Sequence, residues 1–261
     1  MPRLPLTRAL TNRRPPAARP SAPRGSARAV ALPVGDSADS VVSRANPPAP
    51  GVIFDVEGTL VDCATEITES WRAILQDAGH MFAHETLHRY SGMDPDDMLN
   101  LLLRGIGEDE RTRLKEAQGE HYRVHFLPHV AAFPRVRYVF EQLRRAGHCL
   151  GIATTSGGEE LKTYLDLTGV GPLIDAIACG EDHTRGKPHP DLFKLALQRL
   201  GSRKNATAVG DTPYDAISAG RAGIRAIGTL GGGFPARELE EAGCQEVVRE
   251  LPQLIKMLAS A

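Results

Sequence analysis

The sequence predicts an α/β fold, a parallel-sheet core interrupted by an all-helical insertion. Three observations carry that prediction. Short apolar runs end repeatedly in Asp, Gly or Thr; the stretches between them have helical spacing; and one interval of some seventy residues has helical patterns but no convincing strand. Strands buried on both faces of a sheet and joined by helices read as near-continuous apolar runs, which points to parallel pairing.

The first fifty residues precede this pattern. They hold eight arginines against two acids (Asp36, Asp39), with abundant Pro, Ala and Ser and no apolar periodicity. Such a segment cannot offset the entropy of ordering, so 1–50 reads as a disordered extension or a misplaced start. Arg-rich, Ser-containing and acid-poor is also how organelle transit peptides look, which leaves organelle targeting as the alternative to a cytoplasmic protein. No apolar stretch follows the charges, which argues against a secretory signal.

From Gly51 the elements follow in order. Strand candidates are 51–55 (GVIFD), 149–154 (CLGIAT), 175–179 (DAIAC), 206–211 (ATAVGD) and 225–230 (RAIGTL), with helical patterns at about 134–146, 158–168, 190–200 and 213–222. Between Asp62 and about Pro134 lie only helical patterns, such as ATEITESWRAILQDAG and EDERTRLKEAQGEHYRVHF. The expected division is therefore a core from 51–62 and 134–261, with a helical second domain at 63–133 lying over the strand ends.

Composition narrows the function classes. Of 31 basic and 32 acidic residues, the body after residue 50 keeps 23 and 30, a net −7 that offers no surface for a phosphate backbone and so no nucleic-acid partner. No window approaches a membrane-spanning apolar length, so no membrane partner is expected either. Cys63, Cys149, Cys179 and Cys244 are far apart and unpaired in spacing, which fits a reducing compartment and buried thiols rather than structural zinc. Nothing in the sequence fixes the oligomeric state.

Ligands of open parallel sheets bind at the carboxyl ends of the strands, so the polar residues ending these runs should converge. They are Asp55-Val56-Glu57-Gly58-Thr59, then Thr154-Thr155-Ser156, then Lys187 in RGKPHPDLF, then Asp211 with Asp215. Carboxylates, hydroxyls and a lysine form a coherent phosphoryl-transfer set, and Asp55 with Asp211 suits a hard cation such as Mg2+. Positive charge there would also let a phosphate dianion approach a carboxylate nucleophile.

The order DxxGTL, apolar-apolar-Thr, GKPxPD and VGDTxxD resembles the haloacid dehalogenase-like hydrolase superfamily, in its branch with a helical cap on a Rossmann-like core. The tail GTLGGGFPARELEEAG is similar to its phosphoglycolate phosphatase-like members. The resemblance implies Asp55 as nucleophile and Glu57 as general acid and base. It further implies Thr154 and the backbone at Thr155 as holders of the phosphoryl oxygens, and Lys187 as the neutralising charge. Asp55, Asp211 and the Glu57 main-chain carbonyl would bind Mg2+, Asp215 would orient Lys187 or a metal-bound water, and Gly58 would permit the sharp turn after the strand. A small phosphorylated metabolite is the implied substrate, phosphoglycolate first; a sugar-phosphate mutase or a catalytically idle binding protein are the other readings. Most phosphatases of the superfamily have Asp where this chain has Glu57.

Two further motifs compete for attention. HETLH, His84–His88, matches the HExxH pattern of zinc proteases, but Gly79 and Gly92 confine it to a short helix, so an exposed helix face is the expectation. His121 and His125 repeat the same spacing, while His183 and His189 read as loop surface. YSGMDPDD, Tyr90 to Asp97, reads as a substrate loop or a plain interhelical turn.

Overall fold

The computed structural model describes residues 50–182, 185–202 and 205–258. The expected extension, apart from Pro50, and His183 lie outside them.

Six parallel strands form one sheet: β1 Gly51–Phe54, β4 Cys149–Ala153, β5 Ala176–Ala178, β6 Thr207–Gly210, β7 Arg225–Thr229 and β8 Cys244–Val248, in the order β5-β4-β1-β6-β7-β8. The alternation of side chains along β1 explains why both faces must be covered. Val52 and Phe54 join one apolar cluster and Ile53 the other, and all three are essentially inaccessible. The first cluster receives α5 (Val136–Arg145) through Val136, Val139, Phe140 and Leu143, an i, i+3, i+4, i+7 stripe. Phe140 packs tilted against Phe54, 4.6 Å between ring centroids. Also in this cluster are α6 (Gly158–Thr168) and α10 (Gln253–Leu258). The opposite face takes α7 (Asp191–Arg199), α8 (Pro213–Ala222) and α9 (Ala236–Ala242). Each fully buried Phe, Ile or Leu contributes about 1.5–3 kcal/mol, so these two layers hold the strand ends rigidly.

Five of the six strands lie within one residue of their sequence-predicted bounds. β8 does not appear in that reading, and neither does a two-stranded antiparallel pair, β2 (Val61–Asp62) with β3 (Ala131–Ala132). The interval between Asp62 and Pro134 thus ends in a scrap of strand that two residues are too few to announce.

Between β2 and β3 run α1 (Ala64–Asp77), α2 (His84–His88), α3 (Pro95–Leu102) and α4 (Glu108–His125). They share a separate small core of Trp71, Leu75, Leu87, Met98, Leu99 and Leu114. Among the described residues no helix is long and apolar enough to cross a membrane.

Candidate active site

β4, β1 and β6 are neighbours in the sheet, so the residues that follow them meet at one edge. Asp55 leaves β1 with its N–H donating to the Val209 carbonyl at 2.9 Å, which fixes its backbone against β6. The chain then turns sharply: the Leu60 and Val61 N–H groups donate to the Val56 carbonyl at 2.8 and 3.1 Å, and the Gly58 N–H to the Val61 carbonyl at 2.8 Å. Gly58 holds φ +75°, and a Cβ there would fall 2.2 Å from Asp211 Oδ2. A Cβ at Gly232, in the loop after β7, would fall 2.0 Å from the same oxygen. Glycine at both positions is what lets the Asp211 carboxylate sit between two backbones.

Lys187 is the centre of charge. Its ammonium, 1% exposed, lies 2.6 Å from Asp55 Oδ1 and 2.6 Å from Asp215 Oδ1. Burial alone would lower its pKa, but Asp215 and Asp55 outweigh that and hold it above the usual lysine value. Burial pushes Asp55 up to about 7, against the pull of Lys187 and with the added repulsion of Asp215. Asp211 is also driven well above the carboxylate range, by burial first and then by Asp215 and Asp55. Its Oδ1 accepts the Thr59 hydroxyl at 2.5 Å. Asp215 closes the N-terminus of α8: its Oδ2 accepts the Thr212 N–H at 3.1 Å and hydroxyl at 2.7 Å in a reciprocal capping box.

Oxygens of Asp55, Asp211 and Asp215 lie within 4.8 Å of one another, all buried. Ionised together, they set three negative charges against one ammonium, an imbalance that a buried site does not sustain alone. A hard divalent cation fits that deficit and that donor set. Because both Asp215 oxygens are engaged by Lys187 and Thr212, Asp55 and Asp211 are the better ligands.

Beside this cluster opens a cavity of ≈ 150 Å³ walled by Asp55, Glu57, Thr155, Ser156 and Lys187 on the sheet side and by side chains of α1 to α4 on the other. Glu57 is half-buried there, its Oε1 accepting the Tyr164 hydroxyl at 3.2 Å; with its one proton so used, Tyr164 accepts from the Tyr122 hydroxyl, 2.7 Å away. Burial raises the Glu57 pKa, and Glu160 raises it further. Thr154 lies one layer back, fully buried, its hydroxyl accepting the Ser156 N–H at 3.2 Å. Of the sequence-predicted site residues, Asp55, Glu57, Thr155 and Lys187 reach the cavity, while Thr154, Asp211 and Asp215 stand behind them. Thr59 and Ser156 belong to the strand-end stretches expected to converge but were given no role there; Tyr122, Tyr164 and Glu160 were not singled out, because they lie within helices whose pattern announces only structure.

The loop Tyr90–Asp97 packs onto this edge. The Asp94 N–H donates to the Lys187 carbonyl at 2.7 Å, Asp94 Oδ2 accepts the Gly186 N–H at 2.7 Å, and a Cβ on Gly92 would meet Thr212 at 2.7 Å. The HETLH helix is less exposed than its motif suggests. His88 Nε2 donates to the Gly232 carbonyl at 2.7 Å and its ring stacks on Phe234 at 4.7 Å, while His84 Nδ1 is paired with Glu69 at 2.8 Å. His121 meets Ser70 at 3.1 Å and lies tilted against His125, and His189 pairs with Asp97 at 2.9 Å.

Comparison with known proteins gives the chain's relatives. A family model described as haloacid dehalogenase-like hydrolase matches residues 52–229. Pyrophosphatase PpaX of Oceanobacillus iheyensis is 30% identical over 175 residues, 67% of this chain and 80% of that one. Phosphoglycolate phosphatase of Cereibacter sphaeroides is 29% identical over 216 residues, 80% of this chain and 99% of that one. A crystal structure of a hydrolase from Pseudomonas syringae superposes with TM-score 0.74 at 29% identity, covering 81% of this chain and 98% of its own. β-Phosphoglucomutase from Clostridium difficile shares the fold at TM-score 0.69 and 18% identity, over 81% of this chain and 97% of its own.

Proposed function

Because the chain belongs to the haloacid dehalogenase-like hydrolase family, we propose that this phosphoric monoester hydrolase is Mg2+-dependent and dephosphorylates a small metabolite through an aspartyl-phosphate. The observation that carries the reading is Lys187, 1% exposed, with Asp55 and Asp215 each 2.6 Å from its ammonium at the floor of the cavity that Glu57 enters.

In the first step an Asp55 carboxylate oxygen attacks phosphorus, and the bond to the alcohol oxygen breaks. Glu57, whose pKa burial raises, delivers a proton to the departing alkoxide. Lys187 keeps positive charge beside Asp55 and the phosphoryl oxygens, while Thr155 and the Ser156 region line their other side. In the second step Glu57, now ionised, takes a proton from water as its oxygen attacks the acyl-phosphate, releasing inorganic phosphate and restoring Asp55. Asp55 and Asp211, with the Glu57 main-chain carbonyl, would hold Mg2+, which when bound offsets phosphate charge next to the nucleophile. The helices over the cavity act as a cap, with 63–133 as its span. The four free cysteines suit a cytoplasmic enzyme.

Phosphate release from p-nitrophenyl phosphate and acetyl phosphate, with Mg2+ and after chelation, tests the reading. Activity should depend on the metal and vanish in Asp55→Asn, since an amide oxygen cannot form the acyl-phosphate. Phosphate trapped on another residue would refute the assignment, and no net release from any substrate would favour a mutase or a binding protein.

A further inference from the structure

Resting on the phosphatase reading, we infer that the leaving group is an uncharged polyol or sugar rather than an anion. The argument comes from what faces the ≈ 150 Å³ cavity. Among the described residues that wall it, Lys187 alone carries a basic side chain, and its ammonium is held between Asp55 and Asp215 at 2.6 Å each. That charge serves the nucleophile and the transferring phosphoryl group. A second anion on the substrate therefore finds no cation to meet it.

The opposing charge is negative. Glu160, in the first turn of α6, lines the cavity together with Glu57, which is neutral while it holds the proton it gives to the leaving group. Arg123 pairs with Glu160 at 3.2 Å but is itself absent from the cavity wall, so the face turned to a substrate is the carboxylate. Glycolate and phosphate, the groups released from phosphoglycolate and pyrophosphate, would each enter against Glu160. A buried charge without a partner is a strong basis for rejection.

The remaining wall suits hydroxyl groups on a carbon frame. Trp71 and Tyr90 line the cavity with aromatic rings suited to C–H groups, and Ser91 and Gln118, the latter on α4 with an amide that both donates and accepts, line it too. Glu160 accepts from a hydroxyl as readily as it repels a carboxylate. Pockets of this kind, apolar with a few polar groups, discriminate by those polar groups.

The test compares kcat/KM for glycerol 3-phosphate, erythritol 4-phosphate and glucose 1-phosphate with that for phosphoglycolate and pyrophosphate at saturating Mg2+, with acetyl phosphate as reference. At least one polyol or sugar phosphate should exceed phosphoglycolate and pyrophosphate, the two substrates that carry a second anionic group when bound, tenfold or more. Gln118→Arg and Glu160→Gln should each move the preference toward phosphoglycolate by severalfold or more. A smaller or reversed ratio, with acetyl phosphate still hydrolysed, overturns the inference and leaves the phosphatase reading standing; so does a preference that neither variant shifts. Failure to hydrolyse any of the compounds, acetyl phosphate included, overturns the phosphatase reading and this inference with it.

Discussion

Glu57 carries its carboxyl one methylene further from the backbone than an aspartate would, a displacement of roughly 1–1.5 Å that costs on the order of a hundredfold in rate unless the surroundings fit it. The Tyr164 hydroxyl, 3.2 Å from Oε1 and itself bonded to Tyr122, supplies such a fit. Glu57→Gln should lower kcat by about 10²–10⁴, the usual range for a general acid and base, and Glu57→Asp should keep part of the activity. Tyr164→Phe preserves the buried ring and removes the hydroxyl, so kcat should fall about tenfold with KM nearly unchanged, the mark of an interaction made in the transition state. Normal turnover in Glu57→Gln would send the search for the acid elsewhere, and normal kcat in Tyr164→Phe would strip the tyrosine of a positioning role. Asp55, Glu57 and Lys187 were legible because a charge that interrupts an apolar run, or sits in a punctuated loop, stands out in sequence. Tyr164 was not, since a tyrosine on the inner stripe of α6 reads as core, and at 0% exposure it is core as well.

At the level of elements, what could be read depended on burial. β1, β4 and β6 are continuous apolar runs because neighbours cover them on both sides, and their last residues announce the site. β8 is an edge strand with Gln245 and Glu246 exposed and only Cys244 and Val248 buried, so its run is broken and it left no signal. The loop Tyr90–Asp97 shows a similar gap between pattern and role. Its Gly and Pro mark a turn, yet only the folded chain shows Asp94 bridging two parts of the protein. Asp94 accepts the Asp96 and Asp97 N–H groups at 2.9 and 3.4 Å as the cap of α3, and accepts the buried Gly186 N–H at 2.7 Å. Asp94→Ala should therefore cost about 1–2 kcal/mol from the cap alone. It should also lower kcat/KM about tenfold by releasing the loop that holds Lys187, whereas Asp94→Asn should retain much of both. Urea unfolding and steady-state rates check the pair, and a stability loss with intact kcat/KM would reduce Asp94 to a helix cap.

For the whole molecule, the sheet order is what assembles the chemistry, because placing β4, β1 and β6 side by side brings Thr155, Asp55 and Asp211 together from positions far apart in sequence. Sequence reasoning could anticipate that strand ends converge, but not which strands would be adjacent. The convergence has an energetic cost: Asp55, Asp211 and Asp215 are all buried, with Lys187 alone among them as counter-charge. Burial and mutual repulsion raise the pKa values of Asp55 and Asp211, which means their ionised forms strain the metal-free fold near neutral pH. A cation that binds only the folded state relieves that strain and adds its binding free energy, about 2.7 kcal/mol at a hundred times its Kd. For a chain of this size Mg2+ at that level should raise Tm by about 5–10 °C over the chelated protein. Asp211→Asn separates the two effects, since an amide removes one of the three charges yet can still accept from Thr59. In chelator the variant should melt at or above wild type, and Mg2+ should no longer raise its Tm, so the order of the two proteins inverts when the metal is added. A wild-type Tm indifferent to Mg2+, or an Asp211→Asn protein stabilised by it as strongly as wild type, would remove Asp211 from the metal site.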